Sequence, residues 1–309
     1  MDSSAHRPTW KTLLAFAIIY FVWGSTFLAI RVGVAEVPPF LLAAMRFLAA
    51  GLALYGGMLA RGERSPSWRE WRSATILATL IFVGDYGLLF WAERRVPSGV
   101  AAVMMATIPL FMALAEIILL RTQKLTARLA LALLAGLGGV FVLVSPTMKL
   151  GGAPIDRVGA MALIAGAMSW SVASALARKL PLPTSKAMSS GAQMLAGGVQ
   201  LGLVSAALGE WRGFHPMDVS RGAWFALFYL VVAGSIVGFT AYVWLLHHES
   251  PTKVGTYAYV NPVVAVVVGY LLGGEALGLR TLLGAAFVLT SVVVITTTRA
   301  KKPALEEAG

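Results

Sequence analysis

Arg46 and Asp85 each interrupt an otherwise apolar stretch of this 309-residue chain. A charge at the centre of a bilayer costs about 2.5–3.5 kcal/mol on insertion scales, and such residues mark substrate and ion pathways. If the two stretches are spanning helices, Arg46 lies about eight residues, or ~10–12 Å, below the outer face. Asp85 then lies about twelve residues, or ~16–18 Å, up from the inner face. Both fall near mid-bilayer with opposite sign. Two uses follow from that placement. They grip the carboxylate and amine of a zwitterion, with Asp85 also able to cycle a proton, or they form a structural ion pair between neighbouring helices. Residue spacing does not choose between them.

Other side chains of suitable chemistry accompany them. Met105, Pro109, Met112 and Glu116 recur at spacings of four, three and four, one stripe of a helix. A methionine stripe is either core packing or an adaptable apolar wall that re-packs around ligands. Glu116 at its end is placed to snorkel to the inner interface. Trp23, Trp170 and Tyr257 sit deeper than an interfacial belt, where they stack on an apolar or aromatic substrate or pack the bundle. Asn261 shares a face with Tyr257 and precedes Pro262, so its amide faces either opened backbone or a ligand. Pro109 and Pro262 are interior to their stretches and are expected to kink them, as gating points around a cavity or as packing kinks. The candidate substrate-binding set is therefore Trp23, Arg46, Asp85, Met105, Met112, Trp170, Tyr257 and Asn261, with Pro109 and Pro262 as kinks.

Catalytic and metal chemistry find little support. There is no H-E-x-x-H, no G-x-S-x-G and no pair of aspartates in facing stretches, so no catalytic residue is assigned. Cysteine is absent, and none of His6, His215, His247 and His248 lies mid-stretch, so no metal site or cofactor is expected. No G-x-x-x-x-G-K-[ST] loop is present, so ATP hydrolysis by this chain is not indicated.

The elements that hold these residues follow from composition. Apolar residues are 58% of the chain and charged residues 13%, against about 45–50% and about 25% in soluble domains. That leaves too little polar surface to coat soluble cores, so the chain is read as an all-α polytopic membrane protein in contact with lipid. The net charge of +11 lies in short patches between apolar runs, which points to membrane orientation and away from nucleic acid. The first run is longer than a secretory h-region and contains Trp23, so it is read as a retained helix.

Ten stretches reach the ~20 residues a span needs: 12–34, 39–59, 74–92, 98–120, 127–145, 157–178, 186–209, 221–246, 253–273 and 280–298. Residues 1–309 form one membrane domain with a tail at 299–309. With the N-terminus inside, the inner segments carry 16 Lys and Arg and the outer ones 8, which places both termini in the cytoplasm. Trp10, Trp68, Trp71, Trp211 and Trp224 fit an interfacial belt. The pairs Gly198/Gly202, Gly234/Gly238 and Gly269/Gly273 each read GxxxG and allow close helix contact.

The halves match in register. At an offset of 147, Trp23 meets Trp170, Arg31 meets Arg178, Arg46 meets Gln193, Leu48 meets Leu195 and Gly51 meets Gly198. At 154, Gly84 meets Gly238 and Pro97 meets Pro251, and at 153 Pro109 meets Pro262. Repeat one is 12–145 and repeat two 157–298. Five spans per repeat is odd, so the second copy inserts upside down. Inverted repeats are a transporter signature, with a site near the midplane at the repeat interface and alternating access around it. The expected fold is ten transmembrane helices as two inverted five-helix repeats around a central cavity.

Trp23-Gly24-Ser25-Thr26-Phe27, Arg46-Phe47, and Ala258 through Pro262 followed by Gly274-Glu275 resemble the EamA-type transporters of the drug/metabolite transporter superfamily. The resemblance covers essentially the whole chain. It implies a bacterial inner-membrane exporter of amino acids or other metabolites, some members preferring aromatic amino acids. Gln123 stands in the first copy where Glu275 stands in the second, so a symmetric role for that glutamate is not expected. The reading is a secondary transporter that exports small amphipathic metabolites, amino acids with apolar or aromatic side chains first. Protons are a candidate coupling partner. A multidrug, sugar or nucleoside carrier of the same fold is the alternative, with a channel, scaffold or intramembrane enzyme as other classes.

Overall fold

The computed structural model describes residues 9–115, 117–118, 125–144, 155–177, 179–248, 254 and 256–298, and among these no residue is in a strand. The tail 299–309 and Glu116, Gln123, Arg178 and Pro251 lie outside the described residues. In chain order the helices are α1 (Trp10–Glu36), α2 (Pro39–Ala60), α3 (Trp68–Ala92), α4 (Ser98–Met105), α5 (Ile108–Ala115), α6 (Ala127–Val144), α7 (Arg157–Ala177) and α8 (Lys186–Ala207). There follow α9, made of the consecutive segments Arg221–Tyr229, Leu230–Val237 and Gly238–His248, then α10 (Tyr257–Gly273) and α11 (Leu279–Thr298). Among the described residues six helices are long and apolar enough to cross a membrane: α1, α2, α3, α4 with α5, α7 and α9. Three shorter apolar helices cover Ala127–Leu143, Tyr257–Gly273 and Leu279–Ile295.

Helix starts follow local chemistry more closely than hydropathy. α3 begins at Trp68, where the apolar run alone predicts 74. Ser67 makes a capping box there: its hydroxyl accepts from Glu70 N, and the Glu70 carboxylate accepts from Ser67 N at 2.7 Å. That box satisfies two otherwise orphaned backbone donors and starts the helix ahead of its apolar face. Ser185 and Ser220 cap α8 and α9 with their hydroxyls, which accept from the backbone three residues on. Pro39 occupies the first turn of α2, where its missing N–H costs nothing.

Gly51, Gly191 and Gly198 let α2 and α8 approach backbone to backbone. A Cβ on Gly51 would lie 2.7 Å from the Leu195 nitrogen, one on Gly198 2.7 Å from the Leu48 nitrogen, and one on Gly191 2.8 Å from the Tyr55 nitrogen. As the partner number falls along α8 it rises along α2, so the two helices run antiparallel. α6 and α11 meet likewise through Gly136 against Ser291 and Gly139 against Val288. Of the GxxxG pairs, Gly198 is tightly packed while Gly202 meets only Ala44, at 3.9 Å.

The two prolines expected to kink their helices sit differently in them. Pro109 lies beside a break: the helix is interrupted at Ala106 and Thr107, and the Ile108 carbonyl accepts from the Ser171 hydroxyl at 3.1 Å. Pro262 lies inside α10, which runs unbroken from Tyr257 to Gly273. Irregular backbone also occurs in π-helical segments, among them Ile18–Val22 in α1, Thr79–Gly87 in α3 and Leu230–Val237 in α9, and these three contain no proline. A π segment shifts the backbone register from i→i+4 to i→i+5, loosens carbonyls from the usual ladder and is often found at functional sites.

Candidate functional site

α2 buries Arg46 to 3% exposure, among rings from its own helix and α3. Its guanidinium carbon lies 4.9, 5.4 and 5.9 Å from the ring centres of Phe47, Tyr86 and Phe90, within cation–π range. Nε donates to Ser235 Oγ at 3.0 Å, reaching the π segment of α9. Nη1 is buried with no hydrogen-bond partner. Phe82 packs edge-on against Phe47 at 4.6 Å and stacks on Tyr86 at 5.9 Å. These rings fill the space around the guanidinium.

Asp85 is 2% exposed, and its Oδ1 is likewise buried without a partner. It faces α7, where a Cβ on Gly166 would lie 3.1 Å from that oxygen. Arg46 and Asp85 do not form an ion pair. Ion pairs form instead between Arg64 and Glu70 and between Arg31 and Glu275. The structural-pair alternative is thereby removed. Tyr86 lies within electrostatic reach of both charges.

Each of the three π segments in α1, α3 and α9 receives a side-chain donor from the other half of the chain. The Trp23 indole donates to the Gly234 carbonyl at 3.0 Å, in the π segment of α9. The Ser169 hydroxyl of α7 donates to the Leu80 carbonyl at 2.8 Å, in that of α3. The Asn261 amide nitrogen, oriented by its surroundings, donates to the Ile19 and Tyr20 carbonyls at 3.1 Å, in that of α1. Asn261 thus faces opened backbone. Carbonyls loosened from the helical ladder need such partners away from water.

Trp23 also packs edge-on against Tyr257 at 5.2 Å and tilted against Tyr242 at 5.4 Å. Trp170 is half-buried and meets Tyr86 edge-on at 6.1 Å. The aromatic candidates therefore form two groups, Trp23 with Tyr257 and Trp170 with Tyr86. Met105 is buried in the core that includes Phe47, Phe82 and Phe90. Met112 is half-buried on α5, beyond the helix break.

Three carboxylates sit on helix N-termini. Glu36 at the end of α1 accepts from Ser220 N and Oγ, both at 2.6 Å, at the start of α9. Glu210 accepts from Leu41 N at 2.9 Å, at the start of α2. Glu275 accepts from Ser98 N at 2.7 Å and Gly99 N at 3.0 Å, at the start of α4, and pairs with Arg31 at 3.3 Å. Negative charge at helix N-termini is stabilised by free N–H groups and by the helix dipole. Arg31 also donates to the Glu93 and Val96 carbonyls at 3.1 and 2.8 Å. Glu93 is fully buried, and neither of its side-chain oxygens has a hydrogen-bond partner.

Sequence reasoning overlooked Glu93, Glu210, Ser169 and Ser235. Each is unremarkable by type. Glu93 adjoins Arg94 and Arg95, which make it read as part of a solvated loop. An open groove of about 480 Å3 is lined by α6 and α11, including Arg128, Leu131 and Thr290, and a small recess lies beside Glu275 and Val266.

The chain is similar throughout to known membrane proteins. The model of the EamA-like transporter family matches residues 10–145 and again 157–297. An inner membrane transporter of Escherichia coli (strain K12), YedA, is 37% identical over 284 residues, covering 91% of this chain and 89% of that one. The protein PecM of Dickeya dadantii (strain 3937) is 27% identical, covering 89% and 88%. A crystal structure with 23% identity superimposes with a TM-score of 0.61 over 95% of this chain and 99% of its own.

Proposed function

We propose, from the premise that this chain belongs to the EamA-like transporter family, that it exports small amphipathic metabolites, apolar or aromatic amino acids first, across a bacterial inner membrane. The chain is a multi-pass inner membrane transporter of a small molecule. The proposal adds the amino acid, the direction, both termini in the cytoplasm and alternating access by ten spans. Two inverted repeats, 12–145 and 157–298, complete the reading.

One observation carries the substrate. Arg46 Nη1 and Asp85 Oδ1 are buried polar atoms of opposite character, both without partners and with Tyr86 in reach of both. Leaving such groups unpaired is costly. A zwitterion would supply a carboxylate to the first and an ammonium to the second. The rings around them, Phe47, Tyr86, Phe90 and Trp170, suit an apolar or aromatic side chain. Met105 lines the same core, Trp23 donates to the π segment of α9 and packs on Tyr257, and Pro109 lies beside a helix break.

Inversion is supported by the α2–α8 crossing. Gly51 and Gly198, like Leu48 and Leu195, are related by the same offset of 147, and each glycine meets the other's leucine in an antiparallel pair. Reciprocal contact of that kind implies a local two-fold axis. The family model's two matches fall on nearly the same boundaries.

The test is counterflow in proteoliposomes loaded with a radiolabelled amino-acid panel, with and without a pH gradient, for wild type and Asp85→Asn. Saturable exchange of phenylalanine or leucine supports the reading. Exchange of no amino acid sinks the substrate class and favours nucleosides, sugars or cationic drugs. A pH-gradient dependence lost in Asp85→Asn makes Asp85 the coupling proton site.

A further inference from the structure

Glu93 is a fully buried carboxyl group in the short connection between α3 and α4, and both its oxygens lack partners. An ionised carboxylate so placed carries a large desolvation penalty. The charged groups facing it come from three other elements: Glu275 after α10, Arg31 of α1 and Arg46 of α2. Neither arginine neutralises it directly. Arg31 has its Nε on Glu275 and its Nη1 on backbone carbonyls, and Arg46 has its Nε on Ser235. On its own segment Arg94 and Arg95 are exposed, with Arg95 lying over the Trp91 ring at 3.9 Å.

Glu93 and Glu275 therefore stand as rivals for one guanidinium, Arg31. While Arg31 holds Glu275 against the start of α4, Glu93 is stable only as the neutral acid. Burial and the nearby Glu275 carboxylate push its pKa well above the ordinary 4.5. If Glu93 gives its proton to water, it needs hydration or Arg31, and either requires this end of the bundle to loosen. With the N-terminus inside, this end faces the extracytoplasmic side.

We propose that Glu93 is a proton-binding site of the extracytoplasmic gate, taking its proton from outside water as the Arg31–Glu275–α4 contact closes and returning it there as the contact opens. Acid outside then favours the closed outer face and alkali the open one. The proton enters and leaves on the same side, so this site regulates the gate and does not itself carry coupling protons across. The inference rests on the alternating-access reading above, and its test uses no substrate. Loss of amino-acid counterflow would overturn that reading and leave this result untouched.

The chain has no cysteine, so one introduced thiol reports alone. Ser98 is fully buried beside Glu275, and its hydroxyl makes no hydrogen bond, so Ser98→Cys removes none. Maleimide labelling of Ser98→Cys in liposomes, normalised to unfolded protein at each pH, is expected to rise with pH, by up to about tenfold per pH unit for the one proton lost. In Ser98→Cys combined with Glu93→Gln, which keeps the neutral shape, labelling stays low and flat. A flat profile with Glu93 intact, or the same rise in the Glu93→Gln background, overturns the proposal. Dicyclohexylcarbodiimide, which attacks protonated carboxyls in apolar surroundings, tests the unaltered chain. Peptide mapping should find Glu93 modified in acid and progressively spared as pH rises, and no modification in acid would refute protonation.

Discussion

Gly51 lies against the backbone nitrogen of Leu195, so close that a Cβ would stand 2.7 Å from it, and Gly198 lies against the nitrogen of Leu48 at the same distance. The contact joins α2 of the first half to α8 of the second without any side chain between the backbones. It also sets the height at which Arg46, about a turn and a half before Gly51, reaches Ser235.

Gly51→Leu should destabilise the protein by about 1–3 kcal/mol or more, as overpacking a fixed contact does. Gly56, on the same helix, has nothing within 4 Å of a Cβ, so Gly56→Leu serves as the control. Thermal unfolding in detergent followed by size exclusion compares them. Equal melting of the two variants would mean that the close contact contributes nothing.

Trp23→Phe keeps a ring but removes the donor to the Gly234 carbonyl. A buried acceptor left unpaired costs about 1–3 kcal/mol, so a lowered melting temperature is expected. Trp23→Phe should lose more than Phe16→Leu, which only trims an aromatic contact with Tyr20. Retained stability would show that another donor reaches Gly234.

Arg46→Lys keeps the charge but loses the planar fork, and hydrogen bonds to charged groups contribute about 1.5–3 kcal/mol. Amino-acid counterflow should fall by roughly 10–100-fold at limiting substrate. An amine lacking the carboxylate should be transported no worse by the variant than by wild type. An equal loss for both substrates would move Arg46 from substrate contact to scaffold.

The Glu93 carboxyl predicts the sign of a pH effect on stability. Its pKa in the folded protein is raised above 4.5, so above that value the unfolded state releases a proton that the folded state retains. Stability then falls as pH rises, until the raised pKa is passed. Glu93→Gln cannot titrate. The two proteins should melt alike below about pH 4.5, and the variant should melt increasingly higher as pH rises. A gap that narrows with pH would mean that the ionised carboxylate is the stabilised form.

Composition and hydropathy determined the helical membrane class, because apolar length over the scale of a bilayer is written directly in residue order. The pairing of α2 with α8 left a mark of its own: Gly51 and Gly198, which meet the opposite helix, occur at the same offset of 147 as Trp23 and Trp170. Arg46 and Asp85 were conspicuous as charges among apolar neighbours. Their relationship was not, since only the rotation of α2 and α3 decides whether two charges at one depth meet, and here Arg46 turns to Ser235 while Asp85 turns to Gly166. The π segments left no mark in the sequence either. They contain no proline and are sustained by donors distant in the chain, Trp23, Ser169 and Asn261. Glu93 shows the limit most plainly. Beside two arginines it reads as solvated loop, and only the tertiary structure, by folding α1 and the segment after α10 over it, withdraws water and makes its proton matter.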